Sequence, residues 1–220
     1  MEQQSAVSLD VVALRFGDDD TTATFAVAPR QWDPFAGELA LPGVLLGRGE
    51  RLATAARRAV HSKLGVPDDA ILAVGQLVTF DEPNRDPRGP TLSIAMWAVL
   101  NNDETGSIAP FPGVQWVPFD DVPPLAFDHN MIVEVARERL ADMLWKDLAF
   151  TRPLIGEQFP ATRAVALATA LSGARPDPGN LNRTLAAIPG LTRTGERMRT
   201  KATGRPAAVW SFTDSASDER

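Results

Sequence analysis

Cysteine is absent from the 220 residues, and histidine occurs only twice. No disulfide framework, zinc finger or thiol nucleophile can be built from this composition, and a metal site made of histidines is not expected. No apolar run approaches the roughly 20 residues that a membrane-spanning helix needs, so no membrane partner is expected. The opening MEQQSAVSLD lacks a basic region and a long apolar core. A signal peptide is therefore not expected, and the chain is expected in the cytoplasm. What remains is an ordinary globular composition, long enough for one large domain or two small ones, each with its own core.

The net charge of −6 conceals an asymmetry. Residues 1–150 hold 12 Lys and Arg against 22 Asp and Glu, a net of −10. Residues 151–212 hold nine against three, a net of +6. An acidic first part and a basic second part predict two units with different partners, the basic one a candidate for nucleic acid. A merely solvated basic surface is the alternative reading of the same count.

One stretch organises the rest, Leu41–Val66, LPGVLLGRGERLATAARRAVHSKLGV. An apolar run ends at a Pro-Gly turn, and Gly47 and Gly49 keep the next loop open ahead of a helix. Glu50 is expected at the helix start, where the dipole favours an anion. Leu52, Ala56, Val60 and Leu64 recur at helical spacing, and Gly65 is the expected stop. Spacing alone fits any amphipathic surface helix.

The same residues resemble the signature of the Nudix hydrolases, G-x5-E-x7-R-E-U-x-E-E-x-G-U with U aliphatic. Glu50, Arg58, Val60, Gly65 and Val66 match without a gap, and PRQWDPFAGELALPG is similar to the approach to the Nudix helix. Val44 stands for the first glycine and Ala59 for the glutamate after the arginine. Ser62 and Lys63 stand for the paired glutamates. The resemblance implies cleavage of a pyrophosphate, in which divalent cations neutralise oxygens and activate water. Magnesium takes oxygen ligands, mainly carboxylates. Here three carboxylates are missing, and Lys63 puts a positive charge where a cation would bind. The expectation is a retained scaffold with no catalytic residue, no metal and no cofactor.

Val7–Phe16 and Thr24–Ala28 read as strands on either side of a Gly-Asp turn cluster. The loop Pro29–Gly37 carries Arg30, Trp32 and Phe35. Aromatic faces beside a cation suit a nucleotide; ordinary packing of Trp32 and Phe35 on the sheet is the other reading. Ile71–Phe80, Thr91–Leu100 and Val114–Val117 read as further strands, with a charged, proline-rich loop at Asp81–Pro90. Leu125–His129, LAFDH, leads into a helix over Asn130–Lys146 with an apolar stripe from Ile132 to Leu144. This order predicts an α/β/α sandwich on a mixed sheet. His129 either starts the helix structurally or touches a ligand.

A second unit begins near Trp145–Thr151. Pro153–Gln158 is a candidate short helix, and Thr162 is the expected cap of a helix running to Leu171. After a glycine turn, Asp177 and Pro178 start a further helix, Gly179–Ile188. Two helices so joined make a helix-turn-helix. On the second, Leu181, Leu185 and Ile188 share the core side and Arg183 points almost opposite. An outward Arg suits guanine, and Asn suits adenine. Leu191–Glu196 and Ala207–Phe212 read as a hairpin with a basic tip, a wing for phosphates or the minor groove. The candidate DNA contacts are Thr162, Asn180, Asn182, Arg183, Thr184, Arg197, Arg199, Lys201 and Arg205. Asp214–Arg220 is an expected disordered tail.

LAFDH before a helix, then LNRTLAAIPGL and GRPAAVWSF, resemble the Nudix-related transcriptional regulators. The resemblance runs over nearly the whole chain in that family's order. It implies a Nudix-like sensor over 1–148, a winged helix-turn-helix over 149–213 and a tail over 214–220. It further implies a repressor of NAD biosynthesis or salvage genes, acting as a homodimer on palindromic double-stranded operator DNA. The implied effector is ADP-ribose or a related nucleotide, with Arg30, Trp32, Phe35, Arg58, Lys63 and His129 as candidate contacts. Two other readings stay open. One is a hydrolase of nucleotide diphosphate-linked compounds whose metal site draws on Asp81, Glu82, Asp103 and Glu104. The other is a nucleotide sensor that acts through a protein partner.

Overall fold

The computed structural model describes residues 5–17, 22–101, 111–198 and 206–213. Asp103, Glu104, Arg199, Lys201, Arg205 and the tail after Thr213 lie outside them.

Strand β1, Ala6–Phe16, is the axis of the sheet. Alternate side chains leave opposite faces of a strand. Leu9, Val11 and Ala13 accordingly join one buried cluster, and Val12, Leu14 and Phe16 the other. Along one edge β1 runs parallel to β6, Thr91–Leu100, which pairs antiparallel with β5, Ile71–Phe80. Along the other edge β1 changes partner. Leu14–Phe16 pair with β2, Ala23–Pro29, whereas Ser8–Asp10 pair with β4, Gly43–Leu45. Farther along, β2 pairs with β3, Leu39–Ala40, and with β7, Gln115–Pro118. The sheet therefore splits between β2 and β4. The apolar run that ends at the Pro-Gly turn contributes β3; pairing breaks at Leu41-Pro42, where Pro42 has no N–H to give a ladder, and β4 follows from Gly43.

Helix α1, Leu52–Leu64, lies on one face of the sheet and ends at Gly65, whose φ of 77° only glycine adopts freely. Ala55, Ala56, Ala59, Val60 and Leu64 are buried against Leu9, Val11, Met96 and Ala98. The alanines let the helix backbone approach the sheet, and burial of Val60 and Leu64 stabilises by about 1.5–3 kcal/mol each. Glu50 does not open this helix, contrary to expectation. Arg51 is the N-cap, and Glu50 turns back to a guanidinium, which offers stronger hydrogen bonds than the helix dipole.

The other face carries α2, His129–Met143, α3, Leu148–Ile155, and α4, Ala161–Ser172. Helix α2 ends before Lys146, where Trp145 adopts a left-handed φ of 71°. The short helix expected at Pro153–Gln158 forms upstream instead. The Asp147 carboxylate accepts from the Ala149 and Phe150 N–H groups and starts α3 a full turn before Pro153. Gln158–Pro160 is a strand, β8, rather than the end of a helix. Thr162 does not cap α4; β8 runs straight into it, Pro160 holds the cap position, and Thr162 falls in the first turn. After Gly173, α5, Pro178–Ala186, starts from Asp177, whose carboxylate accepts from the Asn180 N–H. Strands β9, Leu191–Met198, and β10, Ala207–Phe212, complete a three-stranded sheet in the order β8-β10-β9. Two helices followed by this hairpin have the connectivity of a winged helix-turn-helix.

The apolar core does not stop between these parts. One buried cluster runs from Val12, Phe25 and Trp97 through Ile132, Phe150 and Leu154 to Leu167, Leu185 and Trp210. Trp97 of β6 meets Phe150 of α3 edge-on at 5.2 Å. Arg163 of α4 donates to the carbonyls of Gly17 (3.0 Å) and Phe16 (3.3 Å) at the end of β1.

Candidate functional site

A cavity of about 420 Å³ opens where the sheet splits. Its walls are the start of β1, the loop after β2, the β3–β4 turn, the end of α1 and the start of α2. Asp10 lies at its floor, buried. Ser93 Oγ donates to Asp10 Oδ2 at 2.5 Å, His129 Nε2 lies 3.4 Å from Oδ1, and the Arg85 guanidinium is 3.6 Å from Oδ2. Burial by itself raises the Asp10 pKa. The contacts with His129, Ser93 and Arg85 outweigh it and hold the carboxyl below the usual value. His129 Nδ1 accepts the Leu41 N–H at 3.0 Å, so the ring proton sits on Nε2 and points to Asp10. His129 starts α2, and its ring lines the cavity.

Gly43 belongs to this floor for a steric reason. It pairs with Asp10 across β1 and β4, and a Cβ at position 43 would stand 2.5 Å from Asp10 Oδ1. The proline-rich loop after β5 supplies Arg85 and two more charged residues, Asp86 and Arg88. Arg85 forks onto Asp128 at 2.9 and 2.7 Å, and Arg88 binds Asp86 at 2.6 Å. The bond from Arg88 outweighs burial and lowers the Asp86 pKa, while the same bond raises that of Arg88.

The mouth of the cavity holds Arg30 and Trp32. Arg30 donates to the carbonyls of Pro34 (2.8 Å) and Trp32 (3.2 Å) and lies over the Phe127 ring at 4.5 Å. Burial, together with neighbouring Arg88, pushes its pKa down. Trp32 is 74% exposed, which overturns its reading as a sheet-packing residue; the carbonyl bonds to Arg30 hold its loop away from the sheet. Phe35 does not line the cavity. It packs edge-on against Phe127 at 4.8 Å and supports that ring from behind.

The α1 side carries Val44, Arg58 and Lys63. Arg58 donates to both Glu50 oxygens at 2.8 and 2.7 Å and to the Leu45 carbonyl at 2.9 Å. The bond from Arg58, with the Gly47 N–H, brings the Glu50 pKa down to about 2. Ser62 and Lys63 are exposed on the last turn of α1, and Ala59 is buried beneath them.

A divalent cation does not fit this donor set. Asp10 and Asp86 are the carboxylates on the cavity wall among the described residues, and both are already paired. No three acidic or histidine side chains cluster to hold a metal among the described residues. Asp81 and Glu82 are exposed and do not line the cavity.

The α5 surface forms a second candidate region. Asn180, Asn182, Arg183 and Thr184 are exposed, as are Thr162 and Arg197. Leu181, Leu185 and Ile188 are buried, as their spacing predicts. Arg183 folds back and donates to Asn180 Oδ1. Asn180 and Thr184 line a crevice against Leu144 and Trp145, whereas Asn182 and Arg183 stay clear of it. No helix among the described residues is long and apolar enough to cross a membrane.

Sequence reasoning missed Asp10, Ser93, Arg85, Asp86, Arg88 and Phe127. Two signals pointed to part of this set: a carboxylate inside the otherwise apolar start of β1, and the charge density of Asp81–Pro90.

A mixed sheet with a glycine-ended helix after a Pro-Gly turn, facing a charged cleft, defines a Nudix fold. Residues 8–136 match the NUDIX domain family, and the chain belongs to that family. Over nearly its whole length it is similar to NrtR of Shewanella oneidensis, at 26% identity and a TM-score of 0.75, covering 94% of each chain. A structure of that protein complexed with a 27mer DNA gives the same identity and TM-score, covering 94% of this chain and 93% of that one. The NUDIX domain of the same protein, complexed with ADP ribose, is 28% identical with a TM-score of 0.53 over 63% of this chain and 90% of that one. An ADP-ribose pyrophosphatase of Methanocaldococcus jannaschii is 29% identical over 105 residues, which span 48% of this chain and 60% of that enzyme.

Proposed function

We propose that this chain is a DNA-binding repressor whose Nudix domain senses ADP-ribose or a related nucleotide without cleaving it. The observation that carries the reading is the similarity to NrtR over 94% of each chain, a protein also solved with DNA. The division falls at about residue 148, with the sensor before it and the winged helix-turn-helix after it. The cavity suits a nucleotide, with the exposed Trp32 as a stacking face at its mouth and the Arg30 guanidinium beside it. Binding reports metabolite level if the nucleotide favours one arrangement of the molecule over another. On this reading the active form is a homodimer, with two α5 helices about one DNA turn apart on a palindromic operator. The regulated genes are those of NAD biosynthesis or salvage, and the site of action is the cytoplasm.

A gel shift on promoter fragments of such genes tests this, with ADP-ribose added in a second series. If Arg183 reads a base, Arg183→Ala weakens operator binding by roughly 1–3 kcal/mol. Full operator affinity after replacement of both Arg183 and Arg197 rules out this DNA-reading surface. The similarity to an ADP-ribose pyrophosphatase favours a second reading, hydrolysis of ADP-ribose-like nucleotides. Cleavage of the ADP-ribose pyrophosphate bond at ordinary enzyme rates with Mg²⁺ or Mn²⁺ would establish that reading in place of the first.

A further inference from the structure

Of the cations around the cavity, three are spent on carboxylates. Arg58 binds Glu50 at 2.7 Å, Arg85 binds Asp128 at 2.7 Å, and Arg88 binds Asp86 at 2.6 Å. Arg30 has two carbonyl partners. Lys63 lines the same cavity, is exposed, and forms no ion pair or hydrogen bond among the described residues. It stands where the Nudix box has a glutamate. A metal ion arriving there would meet no free carboxylate among the described residues of the cavity wall and a facing ammonium, which repels it.

Building on the nucleotide-binding reading above, we propose that Lys63 takes the place of the divalent cation. Its ammonium is a built-in counter-charge for the diphosphate of a nucleoside diphosphate-linked ligand, and binding needs no metal. The substitution also accounts for a retained cavity beside a lost donor set. An ammonium neutralises a phosphate oxygen and donates three hydrogen bonds. It neither activates a water nor bridges two oxygens as a metal does, so the bound diphosphate stays intact. Lysine in the last turn of α1 also complements the helix dipole. That role shifts unfolding, not ligand affinity or its metal dependence, and the two roles are therefore separable.

Calorimetry on the full chain tests the proposal, with ADP-ribose in EDTA and in Mg²⁺ and with inorganic pyrophosphate in EDTA. The unsubstituted protein should bind ADP-ribose with affinities within about twofold in the two buffers. Lys63→Met should weaken both ligands about tenfold or more, the size expected for a lost charge-assisted bond. S62E/K63E should lose ADP-ribose in EDTA and recover it in Mg²⁺. Both positions are exposed, so these variants keep the fold. A tenfold tightening of the unsubstituted protein by Mg²⁺, or unchanged affinity in Lys63→Met, overturns the proposal. Pyrophosphate binding that depends on Lys63, with no ADP-ribose binding, removes the ADP-ribose reading and supports Lys63 as the metal-free counter-charge for a diphosphate. Binding of neither compound overturns both.

Discussion

Replacing Arg137 by methionine should loosen the contact between α2 and the end of α4. Arg137 projects from α2 and donates to the carbonyls of Leu171 and Ala170, both at 3.0 Å, and of Phe119 at 3.2 Å. It also pairs with Asp120 at 2.5 Å. Ala170 and Leu171 lie in the last turn of α4, where carbonyls have no partner within the helix. The Asp120 side chain is 75% exposed, so that pair contributes under about 1 kcal/mol. The three carbonyl bonds are charge-assisted, at roughly 1.5–3 kcal/mol each before water replaces part of them. The Arg137 side chain is about a quarter exposed, which sets the net loss near 2–4 kcal/mol. Methionine keeps the aliphatic stem, so little packing is lost. For a chain of this size the melting temperature should fall by about 5–10 °C, with a matching drop in the urea midpoint. A loss below about 0.5 kcal/mol would refute the assignment of a clamp. Arg137 also sits two turns along α2 from His129, about 12 Å, so one rigid helix joins the cavity floor to the end of α4. In gel shifts, the effect of ADP-ribose on operator affinity should shrink in Arg137→Met more than either binding constant alone. An undiminished effect would exclude α2 as the route.

Two further outcomes follow from the cavity floor. Gly43→Ala should cost about 1–3 kcal/mol, because the new Cβ meets Asp10 Oδ1 at 2.5 Å and Asp10 is held by Ser93 and His129; an unchanged urea midpoint would show that the floor yields. Asp10 has a depressed folded pKa, so its stabilisation is complete above the unfolded value near 4 and is lost as pH falls through the lower folded value. Urea unfolding of the unsubstituted protein and Asp10→Asn should therefore differ at pH 7, and the gap should narrow below about pH 4. A gap of constant size across that range would contradict the assignment.

The residues themselves determined the local elements. The 3.6-residue spacing from Leu52 to Leu64 and the stop at Gly65 specify α1. The apolar runs Ile71–Phe80 and Thr91–Leu100 are strands with those same bounds. The loss of the box glutamates is also plain in the sequence, because a missing side chain needs no fold to be missing. The tertiary structure alone decided which charges remain available. Asp10 and His129 are 119 positions apart, and Arg85 finds Asp128 across 43. Such pairings leave no period in the sequence, since they depend on how the strands are ordered and not on their local pattern. Glu50 turned from a helix-start anion into the partner of Arg58 for a local reason, because the guanidinium offers it stronger hydrogen bonds than the helix dipole does. The common core under α3 and α4 is again tertiary, for only in the folded chain does Trp97 reach Phe150. Lys63 draws on both levels: its identity in the box was legible from the start, and its freedom from any carboxylate among the described residues emerged only when every neighbouring cation had been matched to its partner.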